Sequence, residues 1–90
     1  MDVDCCGSNT YTLAPGEQFD FVNNQTQAVQ VTNCNPPLAA LNYTVPAAQG
    51  GTPGRCAAQI ASGCGNGSYG LAVSGCGALP PGGPTIRVSS

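Results

Sequence analysis

Histidine, lysine and tryptophan are absent from this 90-residue chain, and its single methionine is the first residue. Without histidine or lysine there is no ordinary partner to turn a cysteine into a thiolate nucleophile. The missing histidines also remove the commonest ligands of zinc and copper. Charge is nearly as scarce: Asp2, Asp4, Glu17, Asp20, Arg55 and Arg87 are all of it, for a formal net charge of −2. Two scattered arginines cannot neutralise a run of phosphates, so nucleic acid is excluded as a partner. No apolar run reaches the roughly 18 residues of a membrane-spanning helix. The opening Met1-Asp2-Val3-Asp4 has neither a basic start nor an apolar run, so a mature chain without a signal peptide is expected.

What is present begins with six cysteines, at positions 5, 6, 34, 56, 64 and 76. An even number in so short a chain, without Cys-x-x-Cys knuckles or histidine, reads as a disulfide framework and not as a zinc site. Such bridges persist in oxidising surroundings, and the expected location is extracellular or at a cell surface. Asn24-Gln25-Thr26, Asn42-Tyr43-Thr44 and Asn66-Gly67-Ser68 fit the N-glycosylation pattern, which belongs to the same compartment.

Glycine (13) and proline (8) are abundant, yet the apolar residues are not scattered as they are in a disordered tract. They recur with period two, the signature of a strand with one buried face. The runs are Tyr11 and Leu13; Phe19 and Phe21; Val29 and Val31; Leu41, Tyr43 and Val45; Cys56, Ala58 and Ile60; Tyr69, Leu71 and Val73; Ile86 and Val88. Between them lie Pro15-Gly16, Asn23-Asn24, Asn35-Pro36-Pro37, 49–54, 63–67 and 75–84, which carry turn chemistry. Leu38 to Leu41 offers at most one helical turn. The expected fold is one all-β domain over residues 1–90, a small antiparallel sandwich of about seven strands. The proline-rich stretch Leu79-Pro80-Pro81-Gly82-Gly83-Pro84 reads as a stiff connection to the last strand.

The core implied by this phase is small, and a domain of this length buries only about 60 % of its unfolded surface. Three bridges at about 2 to 4 kcal/mol each are the expected supplement. If 55–61 and 68–74 form a hairpin, Cys56 and Cys76 meet at one edge of the sheet and bridge. Cys64 then sits at the opposite end, and Cys34 and Cys64 take Cys5 and Cys6 in either order. Alternatively, one or both amino-terminal cysteines link to a neighbouring subunit.

Catalytic constellations are thin. Glu17 with Asp20, or Asp2 with Asp4, are the available carboxylate pairs for acid and base work. Asp20, between Phe19 and Phe21, points outward and reads as a solvated residue, while Asp2 and Asp4 read as an acidic terminus without the spacing of a calcium loop. The glycine-rich Gly63-Cys64-Gly65-Asn66-Gly67 lacks the Gly-Lys-Ser/Thr of a phosphate loop. Tyr11, Tyr43 and Tyr69 fall in the inward phase, leaving few exposed rings to stack on sugars.

Pro15-Gly16 before Phe19 and Phe21, then Tyr43-Thr44-Val45-Pro46-Ala47, Gly67-Ser68-Tyr69 and the closing Pro84-Thr85-Ile86-Arg87-Val88 resemble small cupredoxin-like sandwiches. The resemblance implies the fold; an immunoglobulin-like sandwich is the other expectation for such a pattern. Type 1 copper needs two histidines that this chain does not have, so copper electron transfer is not implied, and no cofactor is expected.

A non-enzymatic structural or interaction protein is the leading functional expectation: a self-assembling subunit of a surface layer, coat or filament whose partners are copies of itself. A neutral, amide-rich surface does little to keep copies apart, and the strand-forming ends 10–14 and 85–89 can extend a neighbour's sheet. The alternatives are a secreted module that binds carbohydrate or protein through loops 33–40, 46–54 and 77–84, and a cysteine-stapled inhibitor.

Overall fold

Alternation of buried and exposed residues organises the chain from its first residues onward. The computed structural model describes residues 1–32, 34–76 and 83–89, and these contain β-strands and no helix. The strands are β1 (Asp2–Asp4), β2 (Thr10–Leu13), β3 (Gln18–Asn23), β4 (Val29–Thr32), β5 (Tyr43–Val45), β6 (Gly54–Gln59), β7 (Gly67–Gly70), β8 (Ala72–Ser74) and β9 (Thr85–Val88). They form three sheets of three strands, ordered β1-β3-β6, β2-β9-β7 and β5-β4-β8. Residues 79–82 of the proline-rich stretch lie outside the described residues, as do Asn33 and most of loop 77–84.

Nine strands replace the expected seven for two local reasons. Asp2-Val3-Asp4 alternates as strands do, with Val3 fully buried against β3. The run through Tyr69, Leu71 and Val73 is divided at Leu71: β7 pairs with β9, while β8 pairs with β4. This division overturns the expected hairpin of 55–61 with 68–74, because β6 pairs with β3 instead. The antiparallel expectation is also corrected. Pairings β1 with β3 and β2 with β9 are parallel, and the rest are antiparallel.

The core is built from Val3, Leu13, Phe19, Phe21, Val29, Val31, Leu38, Val45, Ile60, Leu71, Ile86 and Val88, with the Cys5 and Cys34 thiols among them. Phe19 and Phe21, two apart on one face of β3, meet edge to face at 5.1 Å, and Phe21 reaches Tyr43 at 5.6 Å. Most of the inward set follows the expected phase. Leu41 does not: it is 54 % exposed, and Leu38 fills the interior in its place. The reason is that 38–41 makes no helical turn; Leu38 forms a single β-bridge with Ile60. Tyr11, Tyr43, Tyr69 and Val73 are half-buried at the margin of the core.

Turn chemistry fixes the strand ends. At Ala14-Pro15-Gly16-Glu17 the Glu17 N–H donates to the Ala14 carbonyl at 3.0 Å, with Gly16 at φ 81°. Proline followed by a glycine of positive φ is the residue order a type II turn demands. Gly75, at φ 98°, passes so close to the Ala28 carbonyl that a Cβ there would stand 2.6 Å from that oxygen. The β3 strand ends on Asn23, the buried polar side chain of the interior. Its amide donates to the carbonyls of Gln27 (2.9 Å), Val45 (3.3 Å) and Pro46 (3.0 Å), and its oxygen accepts the Gln25 N–H at 2.8 Å. One side chain thereby satisfies backbone groups of β5 and of the 24–28 turn, which would otherwise be buried without partners.

Asn23→Ala strips all four of these bonds at a buried site, and about 2 to 4 kcal/mol of stability is expected to go with them. Urea denaturation of the two proteins at one pH checks the loss.

Candidate functional site

Among the described residues, the candidate groups for chemistry are the thiols, the charges around Arg55 and the edges of the sheets. Cys6 and Cys76 form a disulfide with Cα atoms 5.5 Å apart, joining residues 70 positions apart. The expected Cys56–Cys76 pairing is therefore corrected. It rested on the hairpin that does not form; β8 instead runs beside β4, and the Gly75 carbonyl is held by the Gln27 side chain at 2.7 Å. That places Cys76 near the end of β4 where the turn after β1 arrives. Cys5, Cys34, Cys56 and Cys64 are thiols, so the bridges expected between Cys34 or Cys64 and the amino-terminal pair are not formed either. In adjacent positions of the turn after β1, Cys5 is buried in the core while Cys6 is bonded to Cys76.

Burial disfavours the thiolate, and it pushes both Cys5 and Cys34 up to about 11; Asp4 adds to the effect at Cys5. Burial and then the Asp20 carboxylate raise Cys56 as well. Cys64 lies half-buried beside Tyr69, whose hydroxyl donates to the Gly65 carbonyl at 2.7 Å. Contact with the Cys64 thiol raises the Tyr69 phenol. None of these arrangements activates a nucleophile.

The carboxylates are occupied structurally. Asp2 takes both arms of the Arg55 guanidinium, at 2.9 and 3.1 Å, and Asp20 stands 3.5 Å from the same group. The hydrogen bond from Arg55 holds the Asp2 carboxyl below its usual range, and the same bond raises Arg55. Glu17 accepts the Ala14 N–H at 2.9 Å and Asp4 accepts the Cys6 N–H at 3.1 Å. The two carboxylate pairs considered for acid and base work thus serve a salt bridge and two turns. Arg55 and Asp2, 53 residues apart, were not connected by any sequence signal, although the alternation of Asp2-Val3-Asp4 could have shown that Asp2 lies on a strand. Among the described residues no cluster of three or more His, Cys, Asp or Glu is arranged to hold a metal ion.

Two open grooves mark the surface. One, of about 350 Å³, runs along β6 and is lined by Gln18, Asp20, Ala39, Tyr43, Ala57 and Gln59 among others. The second, of about 460 Å³, lies in loop 46–54 beside Pro46, Gln49, Thr52 and Pro53, and is lined by neither a charge nor an aromatic ring. Asn24, Asn42 and Asn66 are exposed, each just outside a strand. No helix among the described residues is long and apolar enough to cross a membrane.

The edges differ in how they are finished. In β1 the amide of Asp4 donates to the Tyr11 hydroxyl at 3.2 Å and its carbonyl accepts from Gly7, so little of this edge is open. In β2, Thr85 donates to Asn9 and Ser89 donates to Leu13, which fixes Tyr11 and Leu13 toward β9 and turns the backbone of Thr10 and Thr12 outward. In β6, the bond from Ile60 to Glu17 sets the alternation: Ala58, Cys56 and Gly54 face β3, while Arg55, Ala57 and Gln59 face outward. Ala39 takes the Gln59 carbonyl at 2.9 Å, leaving the outward backbone of Arg55 and Ala57, with Ala57 lining the groove. The carboxy-terminal strand β9, expected to extend a neighbour's sheet, is instead flanked on both sides.

Comparison with protein-family models, with curated proteins and with solved structures finds no match.

Raised thiols link stability to pH. Cys5 and Cys34 favour the folded state while neutral, so their contribution is complete below the unfolded value of about 9.0 and is lost as pH climbs through about 11. Unfolding free energies measured at intervals over that window are expected to fall, and Cys5→Ala to flatten the slope. Reduction of Cys6–Cys76, or Cys76→Ala, is expected to cost about 2 to 5 kcal/mol, read from the urea midpoint with and without reductant.

Proposed function

We propose that this protein is a non-enzymatic, extracellular structural subunit that polymerises by adding the β2 edge of one copy to the β6 edge of the next. The carrying observation is the position of those two edges. In this reading the chain passes through Leu71 from β7 of the second sheet to β8 of the third, and these two sheets together form a layer that faces β1-β3-β6, as in a cupredoxin-like sandwich. The β1 strand lies beside β2, as the Asp4 to Tyr11 bond requires. At the other side β5 lies beside β6, with Phe21 of the first sheet against Tyr43 of the second. On that arrangement the open stretches of β2 and β6 sit on opposite flanks. Pairing unlike edges is heterologous, and with a rotation between copies that does not close a ring it produces a filament.

Composition supports the same reading. Uncovered edges normally carry lysine, proline or inward charges that discourage pairing. Here β2 offers Thr10 and Thr12, and the outward β6 positions include Ala57 and a salt-bridged Arg55. The Cys6–Cys76 disulfide and the three exposed sequons suit an oxidising exterior.

Electron microscopy and sedimentation over a concentration series test the reading, using Thr12→Pro and Ala57→Pro. Each proline removes one outward N–H and leaves the bonds to the neighbouring strand intact. Wild type is expected to form filaments that lengthen with concentration, and each variant alone to stay monomeric. A mixture of the two is expected to stop at dimers, because one intact edge of each type remains. Filaments from either variant alone, or a wild type that is monomeric at every concentration, would sink the proposal.

A further inference from the structure

The four thiols are not spread evenly through the molecule. They fall at two ends of β6, which runs from Gly54 to Gln59 and continues into the Leu38–Ile60 bridge. Cys56 lies near its start, opposite Phe21. Cys5 lies on the far side of β3 and about two residues further along, its N–H bonded to the Val22 carbonyl. Two strand spacings, about 9.6 Å, separate these two. A disulfide needs Cα atoms within about 6.8 Å, so Cys5 and Cys56 do not reach each other.

Cys34 and Cys64 gather at the opposite end. At the Leu38–Ile60 bridge, Ala39 donates to Gln59 at 2.9 Å and Ala61 donates to Pro37 at 2.9 Å, locking the two segments side by side. One hydrogen-bonded turn leads from this bridge to each cysteine. The Leu38 N–H donates to the Cys34 carbonyl, and the Cys64 N–H donates to the Ala61 carbonyl at 3.1 Å. Both side chains pack on the same core cluster, Cys34 buried and Cys64 half-buried. Cys56, four extended residues or about 13 Å from Ile60, is too far to compete for either.

We propose that Cys34 and Cys64 form a second, oxidant-dependent disulfide that ties the 34–38 turn to the 61–64 turn across the Leu38–Ile60 bridge, while Cys5 and Cys56 remain thiols. The oxidant is a small-molecule disulfide. The Cys64 thiolate, on the accessible side, attacks one of its sulfurs, and a mixed disulfide forms as one small thiolate leaves. Cys34 then gives up its proton and attacks the Cys64 sulfur, which forms the Cys34–Cys64 bond and releases the second small thiol. Two protein thiols are oxidised and one small disulfide is reduced to two thiols. Because burial holds the Cys34 proton tightly, the closing step is expected to quicken as pH rises.

The test uses the full chain with Cys6–Cys76 intact, incubated with glutathione disulfide, then denatured, alkylated and weighed intact. Wild type is expected to take four alkyl groups before oxidation and two after it, from the four thiols present. Cys56→Ser is expected to go from three to one, whereas Cys64→Ser, at a half-exposed position that tolerates the change, cannot close the bridge and keeps three once any bound glutathione has been counted. The oxidised wild type is also expected to melt about 10 °C higher, and Cys64→Ser to show no such shift. Retention of all four labels, protection that persists as a ring closure in Cys64→Ser, or a bond that appears only in dimers would each overturn the proposal. All of these readouts are made on monomeric protein, so they are independent of filament formation.

Discussion

A single covalent tie between the turn after β1 and the segment after β8 holds together sheets that share few large side chains. The interior has two phenylalanines and no tryptophan, and most of its remaining volume is valine, leucine and isoleucine. Burial of so little apolar surface leaves a chain of this length marginal. Closing a 70-residue separation through Cys6–Cys76 restricts the unfolded chain where the folded state most needs help. It also joins the first sheet, through β1, to the third, through β8, which no strand pairing does.

Polar groups then complete what the small core cannot. Asn23 is buried at the end of β3, the middle strand of its sheet, and its bonds to Gln27 and to the adjacent Val45 and Pro46 tie it to two other stretches of the chain. The result among the described residues is that no buried side-chain nitrogen or oxygen lacks a partner. On the solvent side, Arg55 spans β3 to reach Asp2, linking the two edge strands of the first sheet. Both ends of that salt bridge are about half exposed, so it contributes alignment more than stability.

Period-two alternation was legible wherever one strand face meets the core, as at Phe19 and Phe21, Val29 and Val31, and Ile86 and Val88. It failed where the chain changes partner within a run. Nothing in Tyr69-Gly70-Leu71-Ala72-Val73 announces that its halves pair with different strands, because side-chain alternation continues unbroken through the change. The cysteine pairing failed for the same reason. Cys76 follows from which strand β8 adjoins, a long-range fact that local pattern does not carry. Leu38 was hidden by the two prolines before it, which read as loop, and its burial depends on Ile60 from a distant segment. Val3 is masked by Asp2 and Asp4, which read as an acidic terminus although the three residues alternate as a strand does.

The same distinction governs the functional site. Catalytic side chains leave a signature in composition, and here Asp2, Asp4, Glu17 and Asp20 are engaged in a salt bridge and two turns. An edge leaves none, because its active groups are backbone N–H and C=O that every sequence carries. What decides whether an edge is open is which neighbours it has, and whether side chains such as Tyr11 or Glu17 cap it. Tyr11 closes β1 and Glu17 closes the end of β2 at Ala14, each by one hydrogen bond. Those caps leave the middle of β2 untouched and have no counterpart at Arg55 and Ala57 of β6. The chain thus caps β1 and the end of β2 and leaves the outward groups of Thr10, Thr12, Arg55 and Ala57 without such caps, and it is on this difference that the proposed directional assembly rests.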